Sequence, residues 1–279
     1  MLTLFKAYGF VKEENNKFFL TETAKDYLTG ESDFDLSSYV GSLKTRPICI
    51  DMKKVLQTGK PANWAANKKG KDWVSSMENN NFAESFTKGM NSRGAYLANG
   101  ILKVINFNNY KRILDIGGGS GIYSAIFLKN NLSLYASIFE KPPVDKVANY
   151  SINKFNIADR IDIIAGDMFK DDFPLDHDIH LLSHVLHDWD LNEVKTIVKK
   201  SFQSLSSRGI IVIHDAHINE TKTGPLSVAE YSVLLMFLSE GKCYSIKEMK
   251  DLLQETGFES IEYKSTILNR SVIIGKKPG

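Results

Sequence analysis

The sequence predicts an alternating α/β chain: a mostly parallel sheet with helices on both faces, preceded by a smaller, mostly helical region. Three observations carry this expectation. Strand-like and helix-like segments alternate from Lys111 onward, a glycine-rich turn joins the first strand to the first helix, and an antiparallel hairpin closes the chain. With 279 residues there is room for one large domain and a small companion. The change of pattern divides the chain into 1–100 and 101–279.

Residues 1 to about 100 read as helical, with one exception. The segment G-F-V-K-E-E-N-N-K-F-F-L-T (9–21) spells two short strands around an Asn15-Asn16 turn. Thr21 then caps a helix that stops at Gly30. A hairpin leading into a helix is the wing end of a winged-helix module. DNA binding is disfavoured, because the residues ahead of the hairpin are too few for a helix-turn-helix and no basic stripe accompanies them. A structural or dimerising role is expected instead.

In the second region R-I-L-D-I (112–116) is a strand, and the residues after Gly121 form a helix. Further strands are expected over 132–140, 160–167 and 178–186, then a helix over 190–205 and a strand over 209–215. Ser245 and Glu248 make an S-x-x-E capping box for a helix that stops at Gly257. Two strands around Asn269 close as a hairpin at the sheet edge.

Composition narrows the function classes. Hydrophobic residues at 43% and charged residues at 24% are those of an ordinary globular protein, which argues against disorder or a fibre. A net charge of +2, from 35 basic and 33 acidic residues, leaves no footprint for nucleic acid or an anionic membrane. The apolar run V-L-L-M-F-L (233–238) falls far short of the roughly 20 residues of a membrane helix, and no export signal is evident. Cys49 and Cys243 have no C-x-x-C companion, which fits a reducing, cytoplasmic compartment and neither a disulfide framework nor a zinc site.

The chemistry-bearing motifs sit at strand ends. In L-D-I-G-G-G-S-G (114–121), Asp115 near the end of the first strand is a ligand-binding candidate, and Gly117, Gly119 and Gly121 let a ligand lie against bare backbone at a helix N-terminus. The spacing G-x-G-x-G, with Ile122 where a dinucleotide fingerprint has its third glycine, tilts the reading away from NAD. Glu140 ends the second strand, where a carboxylate can accept both hydroxyls of a ribose. In G-D-M-F (166–169), Asp167 can accept from an adenine amino group while Met168 packs on the ring. S-H-V-L-H-D-W-D (183–190) places His187 at the tip of a buried strand, on the edge where ligands of open parallel sheets bind. An imidazole there is suited to accept a substrate proton.

In their order and spacing, G-G-G-S-G, Glu140, G-D-M-F and H-D-W resemble the S-adenosylmethionine-dependent O-methyltransferases of the caffeate and acetylserotonin type. The resemblance covers almost the whole chain. It implies a Rossmann-like class I methyltransferase sheet, an N-terminal winged-helix region serving a homodimer, S-adenosyl-L-methionine as cofactor, and a small-molecule, aromatic acceptor. On it, Gly117, Glu140, Asp167 and Met168 would hold the cofactor, His187 would be the general base, and Met90 of F-T-K-G-M (86–90) would touch the acceptor. Asp215 replaces the family's first orienting carboxylate, Cys243 stands in place of the second, and Ser183 stands where many relatives have a basic residue near the adenine.

Trp73, Phe82, Phe86, Met90, Trp189, Tyr231, Leu235 and Met236 are candidates for the acceptor pocket, each with the alternative of plain core packing. No metal site is expected, since a strand over 178–186 would turn His180 and His184 to one face and His187 to the other. Two other readings compete: a methyltransferase-fold enzyme doing C- or N-methylation or a non-methylating reaction, motivated by Cys243 and Asp215, and a cofactor-sensing winged-helix regulator.

Overall fold

The computed structural model describes residues 1–62, 76–153, 155 and 157–279. Its N-terminal part holds helix α1 (Leu2–Ala7), strands β1 (Val11–Glu14) and β2 (Lys17–Leu20), and helices α2 (Glu22–Leu28), α3 (Ser37–Gly41) and α4 (Pro47–Thr58). Asn15 and Asn16 take φ of 51° and 60°, the left-handed pair that a two-residue hairpin turn demands. Thr21 Oγ1 accepts the Ala24 N–H at 3.3 Å, which caps α2 as expected. Among the described residues of 1–62 only Ala24 and Val55 are buried, so this part has little core of its own.

Helix α5 (Asn80–Leu102) passes residue 100 and buries Leu97, Ala98 and Ile101 in the main domain. That domain continues as β3 (Arg112–Ile116), α6 (Ile122–Asn130), β4 (Tyr135–Glu140), α7 (Val144–Ile152), β5 (Ile161–Ala165) and β6 (Ile179–Ser183). It ends with α8 (Leu191–Ser204), β7 (Ile210–Asp215), α9 (Leu226–Leu238), α10 (Ile246–Thr256), β8 (Glu259–Ser265) and β9 (Ser271–Lys276).

The seven strands lie in the order β5-β4-β3-β6-β7-β9-β8. All neighbours are parallel except the pairs made by β9. Both faces are covered, which is why the central strands read as mostly apolar runs. Ile113, Leu181 and Val212 join the core under α5 to α7, while Leu114, Leu182 and Ile211 point to the opposite core under α8 and α10. The strand order reverses between β3 and β6, and an open parallel sheet offers its ligand crevice beyond the carboxyl ends at such a point.

Three strands are shorter than the sequence suggests. The one expected over 132–140 begins at Tyr135, because a turn from Asn131 to Leu134 precedes it and leaves Leu132 exposed. The one expected over 160–167 spans Ile161–Ala165. More consequentially, β6 ends at Ser183. His184 takes φ of 57°, turning the chain out of the sheet, and Leu186–Asp188 coil into one turn of 3₁₀ helix. The apolar run continued through Leu186 because that turn still packs into the core.

No helix among the described residues is long and apolar enough to cross a membrane.

Candidate active site

The turn after β3 is shaped by its glycines. Gly117, Gly119 and Gly121 have φ of 65°, 59° and 74°, which L side chains rarely adopt. At Gly121 a β-carbon would also run into the Ile138 side chain, so the close approach of this turn to β4 needs glycine twice over. Helix α6 starts at once and has no side-chain cap, so its first N–H groups are not taken by a capping side chain. Asp115 is buried beneath the turn, where Ser124 Oγ donates to it at 2.7 Å and burial pushes its carboxyl up to about 6.

Glu140, at the end of β4, reaches across to the same turn. Its Oε2 accepts the Gly119 N–H and its Oε1 the Lys141 N–H, each at 2.8 Å, while burial raises the group to about 7. Asp167 lies just beyond β5. Partial burial opposes its charge, but the Phe169 N–H at 3.0 Å and the cations of Lys141 and Lys170 at 3.6 and 3.7 Å hold it below the usual carboxylate range. Met168 beside it approaches Gly117.

On the other side of the switch point, His187 sits on the 3₁₀ turn after β6. Its Nδ1–H donates to Asp215 Oδ1, at the end of β7, over 2.6 Å. That carboxylate also accepts the Ala216 N–H at 2.7 Å. Burial pulls His187 toward neutrality, but Asp215 and Asp188 outweigh it and hold its pKa above the ordinary 6.5. Asp215 is correspondingly far below its own ordinary value despite burial, with His187 the chief cause. The bond with Asp215 occupies Nδ1 and leaves Nε2 as the proton-accepting nitrogen. Tyr231 meets the imidazole edge-on at 5.6 Å between ring centres.

A cavity of about 720 Å³ joins these parts. Its wall includes Asp115, Gly117, Gly119, Glu140, Asp167, Met168, Ser183 and His187, together with Phe86, Met90, Trp189, Tyr231 and Leu235. Most candidates from the sequence therefore meet in one place. Gly121 and Asp215 stand behind the wall, the first shaping the turn and the second holding His187. Ser183 reaches the cavity with its hydroxyl engaged by His214 Nδ1 at 2.9 Å.

Met236 is a correction. It lines a separate cavity of about 310 Å³ near Cys243 and the N-terminus, because one residue along a helix is a rotation of roughly 100° from Leu235. Cys243 itself is buried, and burial pushes its thiol far up. Trp73 lies outside the described residues. The reasoning that separated His184 from His187 also fails, since β6 ends before either. His184, His187 and Asp215 present ligand-type atoms within 4.8 Å of one another. The side chain of His184 is largely shielded from water, and that desolvation holds it neutral.

Sequence reasoning missed Asn91, Arg93 and Tyr123, which also line the cavity. Asn91 shares a hydrogen bond with Ser120 of the glycine turn and so ties α5 to it. The signal was available for one of them: Phe86, Met90 and Arg93 are spaced four and three residues apart, one face of a helix.

Comparison with known proteins gives the family of the chain. Residues 50–259 match the family model for the O-methyltransferase domain. The chain is 26% identical over 264 residues to the 3-hydroxy-5-methyl-1-naphthoate 3-O-methyltransferase of Streptomyces sahachiroi, covering 94% of this chain and 75% of that one. It is 27% identical over 194 residues to the acetylserotonin O-methyltransferase of Gallus gallus, covering 69% of this chain and 55% of that enzyme, so this match spans about half of its length. A crystal structure of an O-methyltransferase family 2 protein from Planctomyces limnophilus, in complex with apigenin, superposes with a TM-score of 0.86 at 27% identity, over 99% of this chain and 79% of that one.

Proposed function

The chain belongs to the O-methyltransferase domain family, and from that premise we propose that it transfers a methyl group from S-adenosyl-L-methionine to a hydroxyl of a small aromatic acceptor. The residues present fit the cofactor. Bare backbone at three left-handed glycines and an uncapped helix start suit the amino-acid end, Glu140 suits the ribose, and Asp167 with Met168 suits the adenine. When bound, the cofactor supplies an electrophilic methyl on a sulfonium.

The protein's own part is to hold and deprotonate the acceptor. A phenol with a pKa near about 10 is mostly protonated at neutral pH. His187 Nε2 takes that proton, and Asp215 keeps the ring oriented and stabilises the imidazolium that forms. Phe86, Met90, Trp189, Tyr231 and Leu235 give the acceptor an apolar, largely aromatic wall. The single observation that carries this reading is the buried His187–Asp215 pair opening onto the same cavity as the glycine turn. The naphthoate relative is named for O-methylation of an aromatic ring and the Planctomyces protein holds apigenin, which supports an aromatic acceptor.

The N-terminal part serves, on this reading, as a winged-helix dimerisation region of a cytoplasmic homodimer. Supporting this, it exposes Phe18, Phe19, Leu20, Tyr39 and Ile48 while burying almost nothing of its own.

The test is calorimetry with S-adenosylhomocysteine, followed by incubation with S-adenosylmethionine and a panel of phenols. An O-methylated product identified by mass spectrometry is expected. Methylation only at carbon or nitrogen would refute the O-specificity, and absence of nucleoside binding would refute the whole reading.

A further inference from the structure

Arg93 lies on α5 one helical turn beyond Met90, and both line the cavity. The other cations in that wall have partners: Lys141 and Lys170 both face Asp167. Arg93 makes no ion pair or hydrogen bond with any described residue. The nearby acids face other groups: Asp188 of the same wall lies 3.7 Å from His187 Nε2. Asp215 accepts from His187 and Ala216, and Glu140 accepts from Gly119 and Lys141. A half-buried guanidinium with no partner is costly, and its planar fork matches a carboxylate.

Its position in the cavity is also defined. The positive charge of Arg93 acts on His187, Asp188, Tyr123 and Tyr231, whereas the chief cations acting on Asp167 are Lys141 and Lys170. Arg93 therefore belongs to the half of the cavity where the methyl is transferred, away from the adenine end.

Resting on the methyl-transfer reading, we infer that Arg93 is a carboxylate-binding residue of this site, pairing with an anionic group carried in by a ligand. Two ligands can bring one: the amino-acid end of the cofactor, or an acceptor that is itself a hydroxylated aryl acid. The guanidinium forms paired hydrogen bonds to the carboxylate and fixes the ligand's orientation relative to His187.

The experiment compares wild type with Arg93→Met and Arg93→Lys. Calorimetry measures S-adenosylhomocysteine and 5′-methylthioadenosine, the same nucleoside without a carboxylate. The homocysteine complex is then titrated with hydroxybenzoates, hydroxynaphthoates and their neutral methyl esters. If the cofactor supplies the carboxylate, Arg93→Met weakens S-adenosylhomocysteine about 10- to 100-fold and leaves methylthioadenosine unchanged. If the acceptor supplies it, nucleoside affinity is unchanged and wild type's preference for acid over ester, at least about tenfold, disappears in Arg93→Met. Arg93→Lys, which keeps the charge and loses the fork, falls between in either case.

The inference is overturned if Arg93→Met changes neither comparison. It is equally overturned if both nucleosides weaken together with a fall in melting temperature, which marks a structural role. Wild type that binds neither nucleoside would overturn the methyl-transfer reading and this inference with it.

Discussion

Gly241 packs against the backbone of the turn that carries His187, so closely that a β-carbon at 241 would collide with the His187 carbonyl and lie 2.7 Å from the Trp189 backbone nitrogen. The obstacles are main-chain atoms and cannot swing aside. Gly241→Ala is therefore expected to displace the imidazole and lower kcat on the order of 10²-fold, with S-adenosylhomocysteine affinity little changed. Steady-state kinetics beside calorimetry checks this, and unchanged kcat would show that the turn accommodates the methyl.

His187→Ala removes the proton acceptor and leaves the glycine turn and Glu140 in place. Turnover should fall on the order of 10²- to 10⁴-fold, the usual worth of a positioned general base. Cofactor affinity should stay near that of wild type. Wild-type turnover in the variant would take His187 out of the mechanism.

Asp215→Asn keeps the shape and removes the charge. Asp215 favours protonated His187, whose pKa lies above 6.5, and the catalytic form is the neutral ring. Activity of wild type should therefore rise with pH through a limb lying above 6.5. In the variant that limb moves to lower pH while the maximal rate drops, because the weaker base is neutral sooner but accepts a proton less readily. A pH–rate profile with its limb unmoved would contradict the pairing.

Glu140 titrates near 7 in the unliganded protein because it is buried. A ribose diol binds best to the carboxylate form. Affinity for S-adenosylhomocysteine should thus strengthen from pH 6 toward about 8, and Glu140→Gln should flatten that dependence and weaken binding about 10- to 100-fold. A wild-type affinity independent of pH across this range would argue against Glu140 as the ribose ligand.

Acid stability follows from the buried histidines. Burial holds His180 and His214 at about 3, His217 at about 4 and His184 well below 6.5. A depressed histidine contributes stability above its unfolded pKa and loses it as pH falls toward the folded value. By pH 5 His180, His214 and His217 have each given up on the order of 2 kcal/mol, and His184 loses stability in the same direction. The raised carboxyls of Asp115, Glu140, Asp188 and Glu193 and the raised imidazole of His187 work in the opposite sense and offset part of this loss. Melting temperature should fall between pH 7 and pH 5, and a midpoint that rose would mean that these rings accept protons in the fold.

The sheet and the glycine turn were legible because their causes are local. Strands buried on both faces are mostly apolar, left-handed turns select glycine, and the box at Ser245 and Glu248 announces its helix. A second box, Asp190 with Glu193, marks the start of α8 as clearly and was available to the same reasoning. The end of β6 was not legible. Val185 and Leu186 stay buried after the strand has stopped, so the apolar run gives no sign of the turn at His184. Leu235 and Met236 could not be told apart either, because apolar residues surround α9 and no polar stripe sets its phase.

The order of residues alone settled which side chains gather at the carboxyl ends of the strands, since alternation and turn chemistry act within a few neighbours along the chain. Which atoms then face one another was decided by folding. The meeting of His187 with Asp215, and the lone guanidinium of Arg93 in the same wall, join segments distant in sequence, and only the packing of β6, β7 and α5 sets those distances.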